Sequence, residues 1–311
     1  NNFIKKIHPY PHKSSEYKQN LVNAALYAIN KKCLNIKLDD SESPDFAKDF
    51  FPQLLIKKGK IIGYKSQEYI KDIGTPDRLD AVIKDLENNK VQKLSFSNKK
   101  IAVFLDRDGI INKEIGHISQ PQQIELINGV AEGIKQINNS GLLAVVITNQ
   151  PVIARGECTE QQLKEIHNKI ETNLGENGSY LDHIYYCPHH PDSGFKGEVK
   201  KLKINCTCRK PNTGLFLKAK TEMNIDLNQS WMIGDSTSDI LAAKNLGMKN
   251  ILINTGLAGR DYKYAVVPDY IFFDLQSGLE WIIKEHIILK IKAEHFIQKI
   301  KNKRFIFIGG L

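Results

Sequence analysis

The stretch Phe104-Leu105-Asp106-Arg107-Asp108-Gly109 places two carboxylates one residue apart, directly after the apolar run from Ile101 to Leu105. An apolar run of this length is typical of a parallel strand that is buried on both faces. Such a strand would deliver Asp106 and Asp108 to its carboxyl end, where ligands bind in α/β proteins. Gly109 would let the chain turn there. The pair alone also fits an acidic turn that only faces water, so the interpretation depends on the segments that follow.

Two further apolar runs end in polar residues, and a basic segment lies between them. Leu142 to Ile147 precedes Thr148-Asn149-Gln150, and Ser230 to Ile233 precedes Gly234-Asp235-Ser236-Thr237-Ser238-Asp239. The basic segment is Cys208-Arg209-Lys210-Pro211. Because the carboxyl ends of parallel strands meet at one edge of a sheet, these segments would add a hydroxyl, a lysine and a second carboxylate pair to the first.

Helical patterns separate these strands. We predict helices near 130–138 and 160–174, and a third at Thr213 to Met223 that is capped by Asn212 or Thr213. Alternation of strands and helices predicts an α/β fold with a doubly wound, Rossmann-like parallel sheet. Further strands are predicted at Ile184 to Cys187 and near Ser230, Asn250 and Tyr270.

The order DxDG, TNQ, RKP and GDSxSD, from Asp106 to Asp239, resembles the haloacid dehalogenase superfamily of phosphohydrolases. Within it, YYCPHHP at Tyr185 to Pro191 and CTCRKP at Cys206 to Pro211 resemble the sugar-bisphosphate phosphatase branch. The resemblance implies hydrolysis of a sugar bisphosphate, namely D-glycero-D-manno-heptose 1,7-bisphosphate, during synthesis of nucleotide-activated heptose. Histidinol phosphate is the alternative substrate. The alternative of another class is a non-catalytic scaffold domain in a multifunctional sugar-nucleotide enzyme.

The chemistry of a phosphate monoester explains why these residue types are needed. Its negative charge repels an incoming carboxylate, so Asp106 can attack phosphorus only where a metal ion and a lysine neutralise that charge. Mg²⁺ prefers an octahedron of oxygen ligands, which favours Asp106, the backbone carbonyl of Asp108, and Asp235. Asp239 would either bind the ion or orient Lys210 without touching it. Its position one helical turn beyond Asp235 favours the orienting role.

The resemblance also implies the catalytic steps. Lys210 and the Thr148 hydroxyl would hold phosphoryl oxygens, and attack by Asp106 would form an aspartyl phosphate that water splits readily. Asp108 would protonate the departing sugar oxygen and then deprotonate water. To act as a general acid, Asp108 needs a raised pKa. Neighbouring carboxylates would raise this pKa and a metal ion would lower it, and the sequence leaves that balance open. The substrate-binding residues would be Asn149, Gln150, Arg155 and Arg209.

The chain has five cysteines and no secretory signal or membrane-spanning run, so we expect a cytoplasmic protein with reduced thiols. Two short pairs, Cys187 with His189 and Cys206 with Cys208, supply the donor set of a closed tetrahedral zinc site. Such a zinc ion would be structural and would hold the adjacent basic residues over the phosphate. The alternative is that these are reduced cysteines scattered in a loop.

Three features depart from the resemblance. Pro151 and Val152 stand where the branch usually has Ser-Gly, so a backbone donor or a glycine conformation of the phosphate cradle would be lost. Ser236 stands where the heptose enzymes tend to carry lysine, and the loop between the two Cys pairs is longer. These differences concern the identity of the substrate more than the type of reaction.

The segments that flank 101–283, the predicted phosphatase domain, have a different character. Residues 1–92 resemble the carboxyl-terminal part of sugar-1-phosphate nucleotidyltransferases through Phe50 to Leu55 and Tyr69 to Leu79, and that resemblance makes Asp72 a metal-holding acid. The alternative is a turn entering a helix. The glycine-rich nucleotide loop of that family is absent, so we predict no nucleotidyltransferase activity. Residues 93–100 would be a linker and 284–311 a helix followed by the start of another domain, as in a protein fused to further sugar-nucleotide domains.

The formal net charge of +9 raises the question of a nucleic-acid partner. Part of the excess lies between Lys196 and Lys210, where six basic residues face one acidic residue on the predicted active-site loop. Basic residues there would attract an anionic substrate. No nucleic-acid-binding module is recognisable, and the basic helix near the carboxyl terminus fits interdomain packing better than a membrane surface. We therefore expect a small phosphosugar as the partner, with neither nucleic acid nor membrane.

Overall fold

The computed structural model describes residues 3–8, 16–38, 43–66 and 68–286. The chain divides into two compact units, Asn1–Asn98 and Lys99–Leu311. The first unit has a small apolar cluster around Phe50, Phe51 and Leu54. Its helices are a 3₁₀ turn at Lys31–Asn35, a π-helical turn at Phe46–Phe50, α1 at Phe51–Ile56, α2 at Pro76–Glu87 and α3 at Lys90–Leu94.

The second unit is built on a six-stranded sheet in which every neighbouring pair is parallel. The strand order is β3-β2-β1-β4-β5-β6. The chain steps outward from β1 in one direction and then returns to β1's other side, so the order reverses between β1 and β4. This reversal opens a crevice at the carboxyl ends of those strands, where α/β proteins bind ligands. The strands are β1 Ala102–Leu105, β2 Leu143–Asn149, β3 His183–Cys187, β4 Trp231–Gly234, β5 Lys249–Ile253 and β6 Tyr270–Phe272.

The period-two pattern of the strands explains the two-layer core. All four residues of β1 are fully buried. Val103 and Leu105 join the apolar cluster on one face of the sheet, and Ala102 and Phe104 join the cluster on the other. A strand with both faces covered by helices is the doubly wound arrangement predicted from the sequence. The α/β fold with a Rossmann-like parallel sheet is therefore confirmed.

Four helices connect the strands, and residues 275–286 form a further helix. The predicted helix start at Thr213 is correct as a boundary, because Thr213 is the N-cap residue, but its side chain makes no capping hydrogen bond. Asn212, the other residue predicted to cap this helix, instead donates from its side chain to the carbonyl of Cys206. The connecting helices are α4 Val130–Ser140, α5 Glu160–Glu176, α6 Gly214–Met223 and α7 Thr237–Lys244.

The predicted domain boundaries stay predictions. The first residues of the predicted linker 93–100 belong to α3, and the two compact units meet between Asn98 and Lys99. Of the predicted segment 284–311, only 284–286 are described, and they are helical. The remainder of that segment lies outside the described residues. Among the helices of the described ranges, none has the length and apolar character needed to cross a bilayer.

Candidate active site

A buried ammonium group lies between two carboxylates at the carboxyl edge of the sheet. Lys210 Nζ is 2.9 Å from Asp106 Oδ1 and 2.6 Å from Asp239 Oδ1, and it donates to the carbonyl of Ile147 at 2.7 Å. Lys210 and Asp239 are almost fully buried. Burial alone would lower the pKa of Lys210, but the two carboxylates outweigh it and raise that pKa. The lysine is therefore a fixed positive charge beside the Asp106 carboxylate.

A third carboxylate, Asp235, lies in a cradle of backbone atoms. Its Oδ2 accepts from the Leu257 N–H at 2.6 Å. A Cβ on Gly109 or on Gly256 would stand 2.2 or 2.1 Å from the same oxygen, so only glycine leaves room for the carboxylate. Both glycines have positive φ, at 79° and 53°, which glycine adopts without strain. Close backbone approach on both sides thus fixes the direction of the Asp235 carboxylate.

Asp106, Asp235 and Asp239 each offer an oxygen within 4.8 Å of the others'. Burial, together with the mutual repulsion of these carboxylates, raises the pKa values of Asp106 and Asp235 above the ordinary aspartate range. A cluster of acids that is costly to ionise is the environment a cation stabilises. Oxygen donors of this kind suit Mg²⁺. Both oxygens of Asp239 are occupied, one near Lys210 and the other by the N–H and hydroxyl of Ser236.

The side chain of Asp108 is surrounded by donors. Arg107 contacts it through Nε at 3.0 Å and through one terminal nitrogen at 2.8 Å to each oxygen. Asn112 and Gln150 each donate to it at 2.9 Å. Burial favours the neutral acid, but the Arg107 charge and these hydrogen bonds prevail and lower the pKa of Asp108. The donors around Asp108 therefore favour its carboxylate form in this geometry.

The polar end of β2 contacts Asp108 and Lys210. Thr148 is buried and its hydroxyl accepts from the Gln150 amide at 2.9 Å, which also donates to Asp108. Asn149 brackets the backbone of Lys210, accepting from its N–H at 2.9 Å and donating to its carbonyl at 3.2 Å. The contacts of Asn149 and Gln150 are thus with Lys210, Asp108 and Thr148. Their predicted role in binding substrate stays a prediction.

The two predicted substrate-binding arginines lie in a basic cluster. Arg155 is 3.3 Å from His190 Nε2, contacts His117, and stacks 4.5 Å from the centre of the Phe195 ring. Lys203 Nζ lies 4.6 Å from the same ring. Arg209 donates to the His189 carbonyl at 3.2 Å. Burial, then the charges of Arg209 and Arg155, lower the pKa of His190, so this imidazole is neutral among cations.

Four donor atoms at a second place form a closed cluster. Cys208 Sγ lies 3.2 Å from Cys187 Sγ, from Cys206 Sγ and from His189 Nδ1. The Cys187–Cys206 and Cys187–His189 distances are 3.5 and 3.7 Å. Ligands about 2.0–2.3 Å from one zinc ion stand at comparable separations in a tetrahedron. Burial and the nearby Cys208 thiol raise the pKa of Cys187, so a cation is needed to stabilise its thiolate.

The departures from the family pattern cause no backbone strain here. Val152 is buried, and the described backbone has negative φ at this position, so no glycine conformation is required there. Ser236 is the N-cap residue of α7, where its side chain and that of Asp239 form a reciprocal capping box. Asp72 of the first unit accepts from the Gly74 N–H and pairs with Arg78, directly before α2 begins at Pro76. Neither donor cluster found among the described residues includes Asp72.

Sequence reasoning missed the loop that follows β5. The Thr255 hydroxyl donates to the carbonyl of Gly109 at 2.6 Å, and Gly256 and Leu257 enclose Asp235 as described above. Asn112 was also missed. The run Asn254-Thr255-Gly256 directly after an apolar strand was the available signal, because it matches the position of the polar residues after the other strands.

A strand-end aspartate pair with an adjacent buried lysine, at the reversal point of a β3-β2-β1-β4-β5-β6 sheet, defines a haloacid dehalogenase-like phosphohydrolase. A family model described as HAD-hydrolase-like matches residues 207–277. The D-glycero-beta-D-manno-heptose-1,7-bisphosphate 7-phosphatase of Haemophilus ducreyi is 44% identical over 161 residues, which cover 51% of this chain and 86% of the relative. The chain therefore belongs to the D-glycero-D-manno-heptose-1,7-bisphosphate 7-phosphatase family.

Two further comparisons agree with this assignment. The D-glycero-D-manno-heptose-1,7-bisphosphate 7-phosphatase of Thermosynechococcus vestitus is 36% identical over 188 residues, which cover 58% of this chain and 94% of the relative. The crystal structure of D,D-heptose 1,7-bisphosphate phosphatase from B. bronchiseptica is similar with a TM-score of 0.53 and 28% identity, over 60% of this chain and 99% of that chain. That structure is a complex with magnesium and phosphate.

Proposed function

We propose that this chain hydrolyses a phosphate ester of a sugar bisphosphate, D-glycero-D-manno-heptose 1,7-bisphosphate, through an aspartyl phosphate formed on Asp106. The observation that carries the proposal is the position of Lys210 Nζ, 2.9 Å from Asp106 in a buried site that also contains Asp235 and Asp239. A carboxylate beside a fixed ammonium group can approach an anionic phosphorus that it would otherwise repel.

The donor set fits a magnesium ion. Asp106, the backbone carbonyl of Asp108, and Asp235 would hold it, and Asp239 would orient Lys210, since its own oxygens are engaged by Lys210 and Ser236. When bound, Mg²⁺ supplies charge neutralisation at the phosphoryl oxygens. The raised pKa values of Asp106 and Asp235 support this assignment, because a cation would relieve the repulsion among the three neighbouring carboxylates.

The protein's own groups would divide the remaining work. Lys210 and the Thr148 hydroxyl would bind phosphoryl oxygens while Asp106 attacks. Asp108 would give a proton to the departing sugar oxygen and take one from the attacking water. Because Arg107, Asn112 and Gln150 hold Asp108 as a carboxylate in this geometry, it must take up a proton before the first step.

The basic cluster favours a substrate with a second anionic group. Arg155, Lys203 and Arg209 surround the buried neutral His190, and Arg209 directly precedes Lys210 in the chain. A sugar bisphosphate keeps one phosphate after the other is attacked, and that phosphate would complement these cations. Histidinol phosphate instead carries an amine, which the same cations would repel. The cluster thus supports the sugar bisphosphate over the amino-alcohol phosphate.

A structural zinc ion completes the proposal. Cys187, His189, Cys206 and Cys208 would fill all four positions of a tetrahedral site, which leaves none for substrate. The ion would fix the loop that leads into Arg209 and Lys210. Unpaired thiols of this kind persist in a reducing compartment, so we place the protein in the cytoplasm. Fusion to further sugar-nucleotide domains also belongs to this proposal, on the resemblance of residues 1–92 described above.

The test measures phosphate release by the purified chain with Mg²⁺ from the α and β anomers of D-glycero-D-manno-heptose 1,7-bisphosphate and from histidinol phosphate. We expect turnover of a heptose bisphosphate and none by Asp106→Asn, which removes the nucleophile but keeps the size of the side chain. Asp80→Asn, at an exposed position of α2 in the first unit, is the matched control and should keep full activity. Preference for histidinol phosphate would replace the substrate assignment, and release from none of these esters would favour the scaffold alternative.

A further inference from the structure

Arg107 is the residue between the two catalytic aspartates, and it is buried to 1% exposure. Its guanidinium does not lie in solvent or beside Asp106. It points at the neighbouring Asp108 carboxylate, which it contacts at 2.8 Å through one terminal nitrogen. A buried guanidinium is costly unless its charge and its N–H groups are all matched. Asp108 contacts Nε and one terminal nitrogen of Arg107, so the other terminal nitrogen needs a different acceptor.

That second terminal nitrogen, NH1, lies 3.5 Å from Nε2 of His167. His167 is buried on α5, and its ring packs edge-on against Tyr186 with 5.7 Å between the ring centres. Burial and the Arg107 charge lower the pKa of His167 to about 3, so the imidazole is neutral and Nε2 can accept the Arg107 hydrogen. The contacts form one chain from α5 through His167 and Arg107 to Asp108.

In this series of contacts, the hold of Arg107 on Asp108 depends on the acceptor that His167 provides. Without an acceptor at His167, a buried N–H of Arg107 would be left without a hydrogen-bond partner, which is unfavourable. Arg107 would then turn toward another acceptor and loosen its grip on Asp108. Asn112 donates to Asp108 Oδ1 and Gln150 to Oδ2, so each of these neutral amides holds one oxygen. Arg107 contacts both oxygens and is the charged donor among the three, so its loss should weaken the hold on the Asp108 carboxylate most.

We propose that His167 is a positioning residue that acts through Arg107 to hold Asp108 in the orientation needed for proton transfer to the leaving oxygen. The inference rests on the proposed phosphatase function, and it assigns no contact with substrate to His167. It predicts a defect in proton donation alone. Binding of the phosphoryl group by Lys210 and attack by Asp106 should be unaffected, because Asp106 contacts the backbone N–H of Arg107 and not its guanidinium, and Lys210 is held by Asp106 and Asp239.

The test compares two esters by kcat/KM, which reports only the steps up to departure of the leaving group. A sugar alkoxide needs a proton to leave, whereas p-nitrophenolate leaves without one. His167→Met removes the acceptor at similar length, and we expect it to lower kcat/KM for heptose bisphosphate about tenfold, a part of the 10²–10⁴-fold that acid–base catalysis supplies. For p-nitrophenyl phosphate we expect a change of less than about twofold, with inhibition by inorganic phosphate unchanged.

His167→Gln is the rescue variant, because its amide oxygen can accept from Arg107 near the position of Nε2, and it should restore the sugar ester's kcat/KM. If His167→Met does not fold, His167→Asn replaces it, since its shorter amide cannot reach NH1. Equal losses on both esters, or no rescue by glutamine, would overturn the inference.

Failure of the proposed function would look different. In that case the wild-type chain releases phosphate from neither ester, and the contact is then read from ¹⁵N chemical shifts of the His167 imidazole. An unprotonated, hydrogen-bonded Nε2 that changes in Arg107→Lys supports the chain of contacts. A proton on Nε2 would overturn it, because that nitrogen could not accept from Arg107.

Discussion

The two donor clusters of the second unit differ in what their donor atoms face. In the carboxylate cluster, Asp106 and Asp235 are held by N–H groups and by Lys210 on one side and keep oxygens free on the other. In the Cys/His cluster the four donor atoms face one another at 3.2–3.7 Å. An ion in the first cluster can share its ligand sphere with substrate, whereas an ion in the second cannot. We call the carboxylate cluster open and the Cys/His cluster closed. The open cluster therefore suits catalysis and the closed cluster suits stability.

The largest effect should follow from removing the fixed charge of the open cluster. Lys210→Met deletes the ammonium between Asp106 and Asp239, and kcat/KM should fall by about 10²–10³-fold, as for loss of a preorganised electrostatic donor. Removal of a competing cation should at the same time leave Mg²⁺ binding as tight as before or tighter. Steady-state kinetics and calorimetric titration with Mg²⁺ measure the two effects separately.

Lys218→Met is the control, because Lys218 is an exposed lysine of α6 whose contacts are with Glu222 across one helical turn and with the Tyr185 ring, away from the carboxylate cluster. It should change neither quantity. A Lys210→Met variant that loses Mg²⁺ binding together with activity would show that the lysine maintains the structure of the cluster. The loss of activity could then not be assigned to the missing charge.

The closed cluster should break in a different way. Cys208→Ser removes the atom that contacts all three other donors, so zinc should fall well below about one ion per chain. Loss of a structural metal removes several kcal/mol of folding free energy, and thermal unfolding should shift down accordingly. Elemental analysis and calorimetry measure these effects. Activity should fall less than in Lys210→Met.

Cys158→Ser is the matched control, since Cys158 is a thiol that is more buried than Cys208 but lies outside the cluster and donates to the Thr159 carbonyl. It should keep its zinc. A Cys208→Ser protein with full zinc content and unchanged unfolding would contradict the closed site.

The sequence predicted both clusters because their residues come in short runs tied to strand ends. Asp106 follows β1, Asp235 follows β4, and the parallel register brings both to one edge. The chelating pairs Cys187 with His189 and Cys206 with Cys208 needed no knowledge of the loop between them. Local patterns suffice where the geometry of one strand or one turn places the atoms.

The other features of the candidate site depend on the direction in which side chains point, which a local sequence pattern does not predict. Asn149 lies in the predicted substrate segment, yet its amide brackets the Lys210 backbone. The acid–base balance at Asp108 required the position of the Arg107 guanidinium. Thr255 and Gly256 were missed because contacts across 146 residues of sequence separation appear only in the folded chain.

A smaller effect should follow from a methyl group in the open cluster. Gly256→Ala places a Cβ 2.1 Å from Asp235 Oδ2 and 2.7 Å from the Gly109 Cα, so the carboxylate must move. Displacing a ligand or its support typically costs about 10–100-fold in metal affinity, and Mg²⁺ binding should weaken by about tenfold. Calorimetric titration with Mg²⁺ measures it.

Gly247→Ala separates this clash from backbone strain. Gly247 also has positive φ, at 65°, but a Cβ there meets no atom within 4 Å. Both variants should lose a similar amount of stability from strain, and only Gly256→Ala should bind Mg²⁺ more weakly. Equal Mg²⁺ affinities in the two variants would show that the cradle does not aim Asp235.

The smallest effect concerns a carboxylate at the opposite end of the sheet. Asp182 precedes β3 and accepts from the Ala144 N–H at 2.8 Å. Burial raises its pKa to about 7, with that hydrogen bond and the Lys100 charge opposing the rise. Because the pKa is higher in the folded state, the stability that this group contributes is full below about pH 4 and is lost as pH rises through about 7. Asp182→Asn should therefore stabilise the protein more at pH 8 than at pH 5, by about 1 kcal/mol.

Urea unfolding of both proteins at pH 5 and pH 8 measures this difference, with m-values compared to verify that the transitions match. The amide introduced by Asp182→Asn keeps an acceptor for the Ala144 N–H, so the variant changes charge while preserving the hydrogen bond. Asp182 and Asp106 are both acids whose pKa burial raises, and a lysine charge opposes the rise at each, Lys100 at Asp182 and Lys210 at Asp106. Catalysis should be unchanged in Asp182→Asn at either pH. A stabilisation that is equal at pH 5 and pH 8 would mean that Asp182 ionises no differently in the folded chain, and burial alone would then not explain the raised pKa values in the open cluster.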